Sequence, residues 1–387
     1  MKDAIKIYFV TGEPSGDLLA SSLMRRLTEK MPEAEFYGIG GETMKSYGFN
    51  SLFDMSELTV MGFFEVLPRL PLILKRAGQT VADIEKTKPD ILITVDSWGF
   101  VSLLLSRLKK KNIRVPKLHY VAPQVWAWKK GRAKKVAKLV DRLITLLPYE
   151  PKYFEKYGLK CDFAGHPVVE NSLDVTGADS FRAVYGIPSD ARVLSVLPGS
   201  RHSEIKRLIP VFRDAVKTLS QQIDNLFVVI PAVEALAGET GKAFADSGVP
   251  FCVVTGRNNR YAAFRNSFAA IAASGTVSLE LASCGTPHVV AYKFSPFTNF
   301  LADIFVKVKY ANLINLLCNR EIIPEFMLAK CRADLIADKI SGLADSATAD
   351  RMIADTAEGL QKLQLPDIAP SAKAAEIVIE MISGNVI

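Results

Sequence analysis

Short, almost uninterrupted apolar runs recur along this chain, separated by longer amphipathic stretches, and this alternation restricts the fold more than any other feature. The runs are Ile5–Thr11, Glu35–Ile39, Ile91–Val95, Lys117–Val121, Arg142–Leu146 and Cys161–Ala164. They resume at Val193–Leu197, Leu226–Ile230, Phe251–Val254, Ala269–Ala272 and His288–Ala291. Strands apolar on both faces suit a parallel sheet covered by helices. Intervening segments such as Leu18–Glu29 and Ser203–Gln221 have helical length and periodicity. The pattern predicts repeated βα units and an α/β fold.

The rhythm breaks between Gly165 and Asp190, and 387 residues exceed what one core usually serves. Two domains are expected, 1–170 and 171–345. After Ala291 the strands are expected to stop, leaving helices over 346–387. Open parallel sheets bind ligands at their strand C-termini, which puts the expected site at a cleft between the two sheets. No apolar run is long enough to span a membrane, and the N-terminus enters a strand without a leader, so a cytoplasmic protein is expected. The five cysteines are scattered without a C-x-x-C pair and read as small buried hydrophobes. A net charge of +7 suggests an anionic partner: nucleic acid, anionic lipid or a phosphorylated substrate.

The motifs that can carry chemistry follow strands. Gly12-Glu13-Pro14-Ser15-Gly16-Asp17 closes the first strand and opens a helix, where N–H groups favour an anion or a polar sugar group. The competing reading is a plain turn with Asp17 as N-cap. Neither G-x-G-x-x-G nor a Walker A loop occurs. Leu197-Pro198-Gly199-Ser200-Arg201 ends the first strand of the second series. Gly199 and Ser200 can turn backbone donors onto a phosphate, and Arg201 adds a charged fork. Ser274-Gly275-Thr276 repeats the strand–turn–helix pattern, with Glu280 one turn on, where it can accept from ribose hydroxyls. Together these would make a nucleotide-diphosphate site.

Asp96, at the end of a buried strand, is a candidate general base, or else a structural cap. Trp126 and Trp128, after Tyr120, either pack or line an acyl or sugar site. His166 closes the first strand series and is the most suggestive histidine. No histidine pair has ligand spacing and no Asp-x-Asp occurs, which disfavours a metal. The stretch from Val60 to Arg76 is densely apolar. It reads as a segment lying in a membrane interface, with Phe63, Phe64, Val66, Leu67, Leu70 and Leu74 inserted and Arg69, Lys75 and Arg76 at the headgroups. The alternative is a core helix with a loop.

Taken in order, these segments resemble the lipid-A-disaccharide synthases. The matches are Gly12–Asp17, Val60-Met61-Gly62 with Glu65-Val66-Leu67, Asp96, Tyr120–Trp128, Leu147-Pro148, Gly165-His166, Leu197–Arg201 and Ser274–Glu280. The resemblance implies a GT-B fold of two Rossmann-like domains with parallel sheets facing a central cleft. It implies transfer of diacylglucosamine from UDP-diacylglucosamine to diacylglucosamine 1-phosphate, with no cofactor beyond the UDP-sugar. Asp96 and Arg201 match residues tied to activity, and Glu280 matches a nucleotide-contacting glutamate. The resemblance also implies a peripheral protein on the cytoplasmic face of the inner membrane. Its C-terminal helices would pack back on the N-terminal domain or be exchanged in a homodimer. One departure stands out: where the family commonly reads Pro-Asp-Phe-Asn, this chain has Trp98-Gly99-Phe100-Val101.

The expected mechanism is an inverting displacement. Asp96 takes the acceptor proton, with Glu13 next in line, and Arg201 with the two Gly-containing turns steadies the departing UDP. The rivals are another UDP-sugar enzyme, such as a 2-epimerase, and a lipid- or nucleotide-sugar-binding protein without activity. No nucleic-acid-binding module is recognised.

Overall fold

A computed structural model describes residues 4–58, 63–125, 131–171, 180–293 and 309–384. The chain divides into two compact units: Met1–Pro167 with Leu363–Ile387, and Val168–Lys362. Val60, Met61, Gly62, Trp126 and Trp128 lie outside the described residues, and Phe63, Phe64, Val66 and Leu67 are described by their backbone alone.

Unit 1 is a six-stranded parallel sheet in the order β2-β1-β3-β4-β5-β6. Its strands are β1 (Lys6–Thr11), β2 (Glu35–Ile39), β3 (Ile91–Val95), β4 (Lys117–Tyr120), β5 (Arg142–Thr145) and β6 (Lys160–Phe163). Alternate residues of one strand feed opposite cores, as the two-residue period requires. Ile7 and Phe9 pack with Ala20, Leu23 and Leu27 of helix α1 (Pro14–Lys30). Tyr8 and Val10 pack on the other face. There they meet Ala77, Val81 and Ile84 of α3 (Phe63–Thr87), and Val101, Leu104 and Leu108 of α4 (Trp98–Lys110). Two further helices of this unit matter below, the short α2 (Glu42–Lys45) and α5 (Gly131–Ala137). Because β1 lies between β2 and β3, the sheet reverses its winding between β1 and β3, the place where open α/β sheets bind ligands.

Unit 2 repeats the plan in the order β12-β11-β10-β7-β8-β9. The strands are β7 (Arg192–Leu197), β8 (Leu226–Pro231), β9 (Phe251–Val254), β10 (Ala269–Ala273), β11 (His288–Tyr292) and β12 (Glu325–Met327). On one face, Leu194, Val196, Val228 and Ile230 pack with Leu208, Phe212 and Val216 of α6 (His202–Leu219) and with Ile336 and Ile340 of α9 (Ala333–Gly342). On the other lie α7 (Arg257–Asn266) and α8 (Val277–Ser283).

β12 corrects the expectation that strands end at Ala291: Glu325, Phe326 and Met327 pair in parallel with Val290, Ala291 and Tyr292. Three half-buried residues at a sheet edge carry no periodic signal of their own, and pairing to a formed neighbour makes them a strand. The C-terminal helices also divide differently from the expected break at 345. Helix α10 (Ser346–Gln361) stays with unit 2, where Gly359 lets it approach Ile314 closely, a Cβ there falling 2.8 Å from Ile314 Cγ2. Helix α11 (Pro370–Gly384) returns to unit 1, burying Ala374, Ala375, Ile377 and Val378 in the core beside α1. No helix of the described residues is long and apolar enough to cross a membrane.

Candidate functional site

In unit 1 the turns after β1, β3 and β4 meet at the C-terminal edge of the sheet. Asp96 (φ +53°), Ser97 (φ +44°) and Val121 (φ +80°) all take left-handed backbone conformations there. Each such non-glycine residue stores about 1–3 kcal/mol, and strain of this kind gathers where geometry serves function. The Asp96 N–H donates to Tyr120 O at 2.9 Å, which ties the β3 turn to β4. Burial raises the Asp96 carboxyl pKa above its ordinary value, partly offset by the Ser97 backbone N–H. Ser97 Oγ donates to Glu13 Oε1 at 3.4 Å, so this hydroxyl bridges toward the second candidate carboxylate.

The glycines of the first motif serve this junction. A Cβ on Gly12 would lie 2.8 Å from Ser97 Oγ, and one on Gly16 would lie 3.2 Å from Val95 O. Both glycines thus pack closely against the β3 turn. The structure corrects the reading for Asp17. It is neither the N-cap of α1, which is Glu13, nor open to an acceptor. It is 2% exposed, and its carboxylate accepts from Gly41 N at 2.6 Å, Thr43 N at 2.7 Å and Met44 N at 3.3 Å, capping α2 from outside. Ser15 remains exposed at the start of α1. His166 holds the chain return: its N–H donates to Leu363 O at 2.9 Å, and burial lowers its ring pKa to about 4.

In unit 2 the expected nucleotide residues converge. A cavity of about 700 Å³ is lined by Gly199, Ser200, Arg201, Ser274, Gly275, Thr276 and Glu280, together with residues from the turns after β8 and β9. Gly199 has φ +116°, and a Cβ there would fall within 2.3 Å of Glu204 Oε2. Glu204, in the first turn of α6, accepts from Ser200 N and from Arg201 Nη1, both at 2.9 Å, and from Tyr292 OH at 3.2 Å. That carboxylate holds the loop in shape, as a first-turn glutamate reaching back does in a capping box. Burial raises the Glu280 pKa, opposed by Arg260 and Arg257; Arg260 Nη2 donates to Glu280 Oε1 at 2.8 Å.

Arg257, Arg260 and Glu204 are residues that the motif reading passed over. The signal was present: Gly256-Arg257 follows β9 in the same strand–glycine–helix arrangement as the other two turns, and Gly256 has φ +82°. Three arginines and two glycine turns can hold a diphosphate, and a carboxylate beside them can accept from a sugar hydroxyl. Among the described residues no group of three or more His, Cys, Asp or Glu side chains could hold a metal ion.

In the expected membrane segment, α3 continues through Pro68 and Pro71. Leu70 and Leu74 are 43% and 38% exposed, and Arg69 and Lys75 are exposed beside them. Arg76 does not join them: it forms a bidentate pair with Glu57, at 2.7 and 2.5 Å, and lies over the Phe53 ring.

Comparison with known proteins bears on both halves. The chain is 45% identical over 380 residues to the lipid-A-disaccharide synthase of Paramagnetospirillum magneticum, covering 97% of each chain. It is 42% identical over 383 residues to that of Rhodospirillum centenum, covering 98% of this chain and 96% of the relative. Among solved structures, it resembles a UDP-N-acetylglucosamine 2-epimerase from Neisseria meningitidis with TM-score 0.63 and 12% identity, covering 99% and 100% of the two chains. Likeness at that identity speaks for the fold alone, a two-domain α/β architecture of the GT-B type. The lipid-A-disaccharide synthetase family model matches residues 7–377. With both its sheets and nearly all its length inside that match, the chain belongs to the lipid-A-disaccharide synthetase family, glycosyltransferases of lipid A biosynthesis.

Proposed function

We propose that unit 2 binds UDP-diacylglucosamine and unit 1 binds diacylglucosamine 1-phosphate, and that the sugar passes to the acceptor with inversion, giving the β-1,6-linked disaccharide phosphate and UDP. The observation that carries the donor half is the unit 2 cavity, where Arg201, Arg257 and Arg260 meet the Gly199 and Gly275 turns and Glu280. Arg201 and the turn N–H groups stabilise charge on the departing diphosphate, without a metal or other cofactor. Asp96 takes the acceptor hydroxyl proton, and its burial in unit 1 supports that role by raising its basicity. Glu13 orients the junction through Ser97.

The positive charge serves lipid and phosphate rather than nucleic acid. Exposed Leu70 and Leu74 between Arg69 and Lys75 support docking of α3 on an anionic membrane, the cytoplasmic face of the inner membrane in this reading. A homodimer would supply α11 to the same seat from a second copy, and the molar mass in solution checks this. The test of the whole reading is incubation of the pure protein with both acylated sugars and mass spectrometry of the lipids. A disaccharide phosphate and stoichiometric UDP are expected. UDP release without disaccharide, or epimerised donor, overturns it.

A further inference from the structure

We propose that Arg132 and Lys135 form a phosphate subsite of unit 1, against the first turn of α4, and that it holds the phosphate of the acceptor sugar. The proposal rests on the reading of unit 1 as the acceptor domain. A cavity of about 520 Å³ lies there, lined by Trp98, Gly99, Ser102, Gly131, Arg132 and Lys135. Two of its six lining residues are cations, none is a carboxylate, and neither Arg132 nor Lys135 forms an ion pair among the described residues. This contrasts with Arg76, Arg142 and Arg320, each neutralised by carboxylates. An uncompensated pair of cations around an open cavity is what an anion requires.

Gly99 keeps the cavity clear, with no heavy atom within 4 Å of where its Cβ would stand. A carboxylate at 99 would add negative charge beside the two cations; glycine adds none. Ser97, the N-cap of α4, makes no side-chain cap bond, so the helix end adds its own positive field. Location fits the chemistry. In a parallel sheet α4 and α5 both start from the C-terminal strand edge, and α4 begins two residues after Asp96. A phosphate bound there would tether the acceptor on the same edge as its base.

The same chemistry is offered by a phospholipid headgroup, and the test separates the two sources. With the full-length protein, kcat/KM is measured for diacylglucosamine 1-phosphate and for the same sugar lacking the phosphate. The Arg132→Gln/Lys135→Gln variant is expected to lower the ratio of the two values by about 10–100-fold, chiefly through KM, with UDP affinity unchanged. Gly99→Asp, which leaves both cations in place, should lower it in the same direction. Calorimetry with the phosphorylated sugar should show the same weakening without turnover, so a failure of the transferase reading is distinguishable from a failure of the subsite. An unchanged ratio in the folded variant overturns the proposal. So does weaker flotation with anionic phosphatidylglycerol vesicles at an unchanged ratio, which would assign the cations to headgroups. Should the double variant not fold, Lys135→Gln alone, at an exposed position, is expected to lower the ratio about tenfold.

Discussion

Asp96 joins a strained left-handed backbone to a half-buried carboxyl whose pKa desolvation raises, the combination the proposed base requires and a cap does not. A base must be ionised to work, and burial raises this carboxyl's pKa, so turnover should fall with decreasing pH through a point above the ordinary aspartate value of 3.8. Asp96→Asn keeps the shape and should lower turnover by about 10²–10⁴ with UDP affinity retained. Near-normal turnover in a pH–rate series would return Asp96 to a purely structural role. In unit 2, Gly199→Ala puts a methyl group onto Glu204 at a positive φ, a combination worth about 1–3 kcal/mol of strain. UDP affinity measured by calorimetry should drop as the loop yields; an unchanged affinity would mean that the loop does not touch the diphosphate.

The apolar stripe of helix α3 runs through Leu70, Leu74, Ala77, Val81 and Ile84 at helical 3–4 spacing; its C-terminal part, Ala77, Val81 and Ile84, is buried in the core, while Leu70 and Leu74 at its N-terminal part stand open. That division makes two opposed readings of the sequence segment testable. Leu70→Ser/Leu74→Ser removes apolar surface already in water, so the melting temperature should hold while binding to anionic vesicles weakens. A large drop in melting temperature, as buried truncations give at about 2–5 kcal/mol each, would end the docking role of this helix. Interrupted apolar density alone could not separate the cases, because a core helix and an interfacial helix share one amphipathic pattern.

At the scale of the molecule, α11 closes unit 1 from the far end of the chain. Arg142, 5% exposed, pairs with Asp162 at 2.6 Å and with Glu380 of α11 at 2.8 Å, while Lys160 meets Glu380 at 2.9 Å. These cations lower the Glu380 pKa to about 2. Its contribution to stability is therefore present above the ordinary glutamate pKa and is lost as pH falls toward 2. A chain ended after Lys362 would leave the α1 side of that core open; calorimetry should show one thermal transition lost or sharply lowered and the other kept. A single unaltered transition would place α11 outside the fold's stability. The parallel strands were legible in the residues, since burial on both faces forces continuous apolar runs, and so were the Gly199, Gly275 and Asp96 positions, which sit where strands end, and Glu280, one turn into the helix that follows. The division of the C-terminal helices was not, because α10 and α11 are both amphipathic and only the shape of the waiting core decides which unit takes each. Nor were the β12 pairing, the capping of α2 by Asp17 and the meeting of Arg260 with Glu280. Each joins residues through space, and a local pattern carries no information about a partner that the folded chain alone brings within reach.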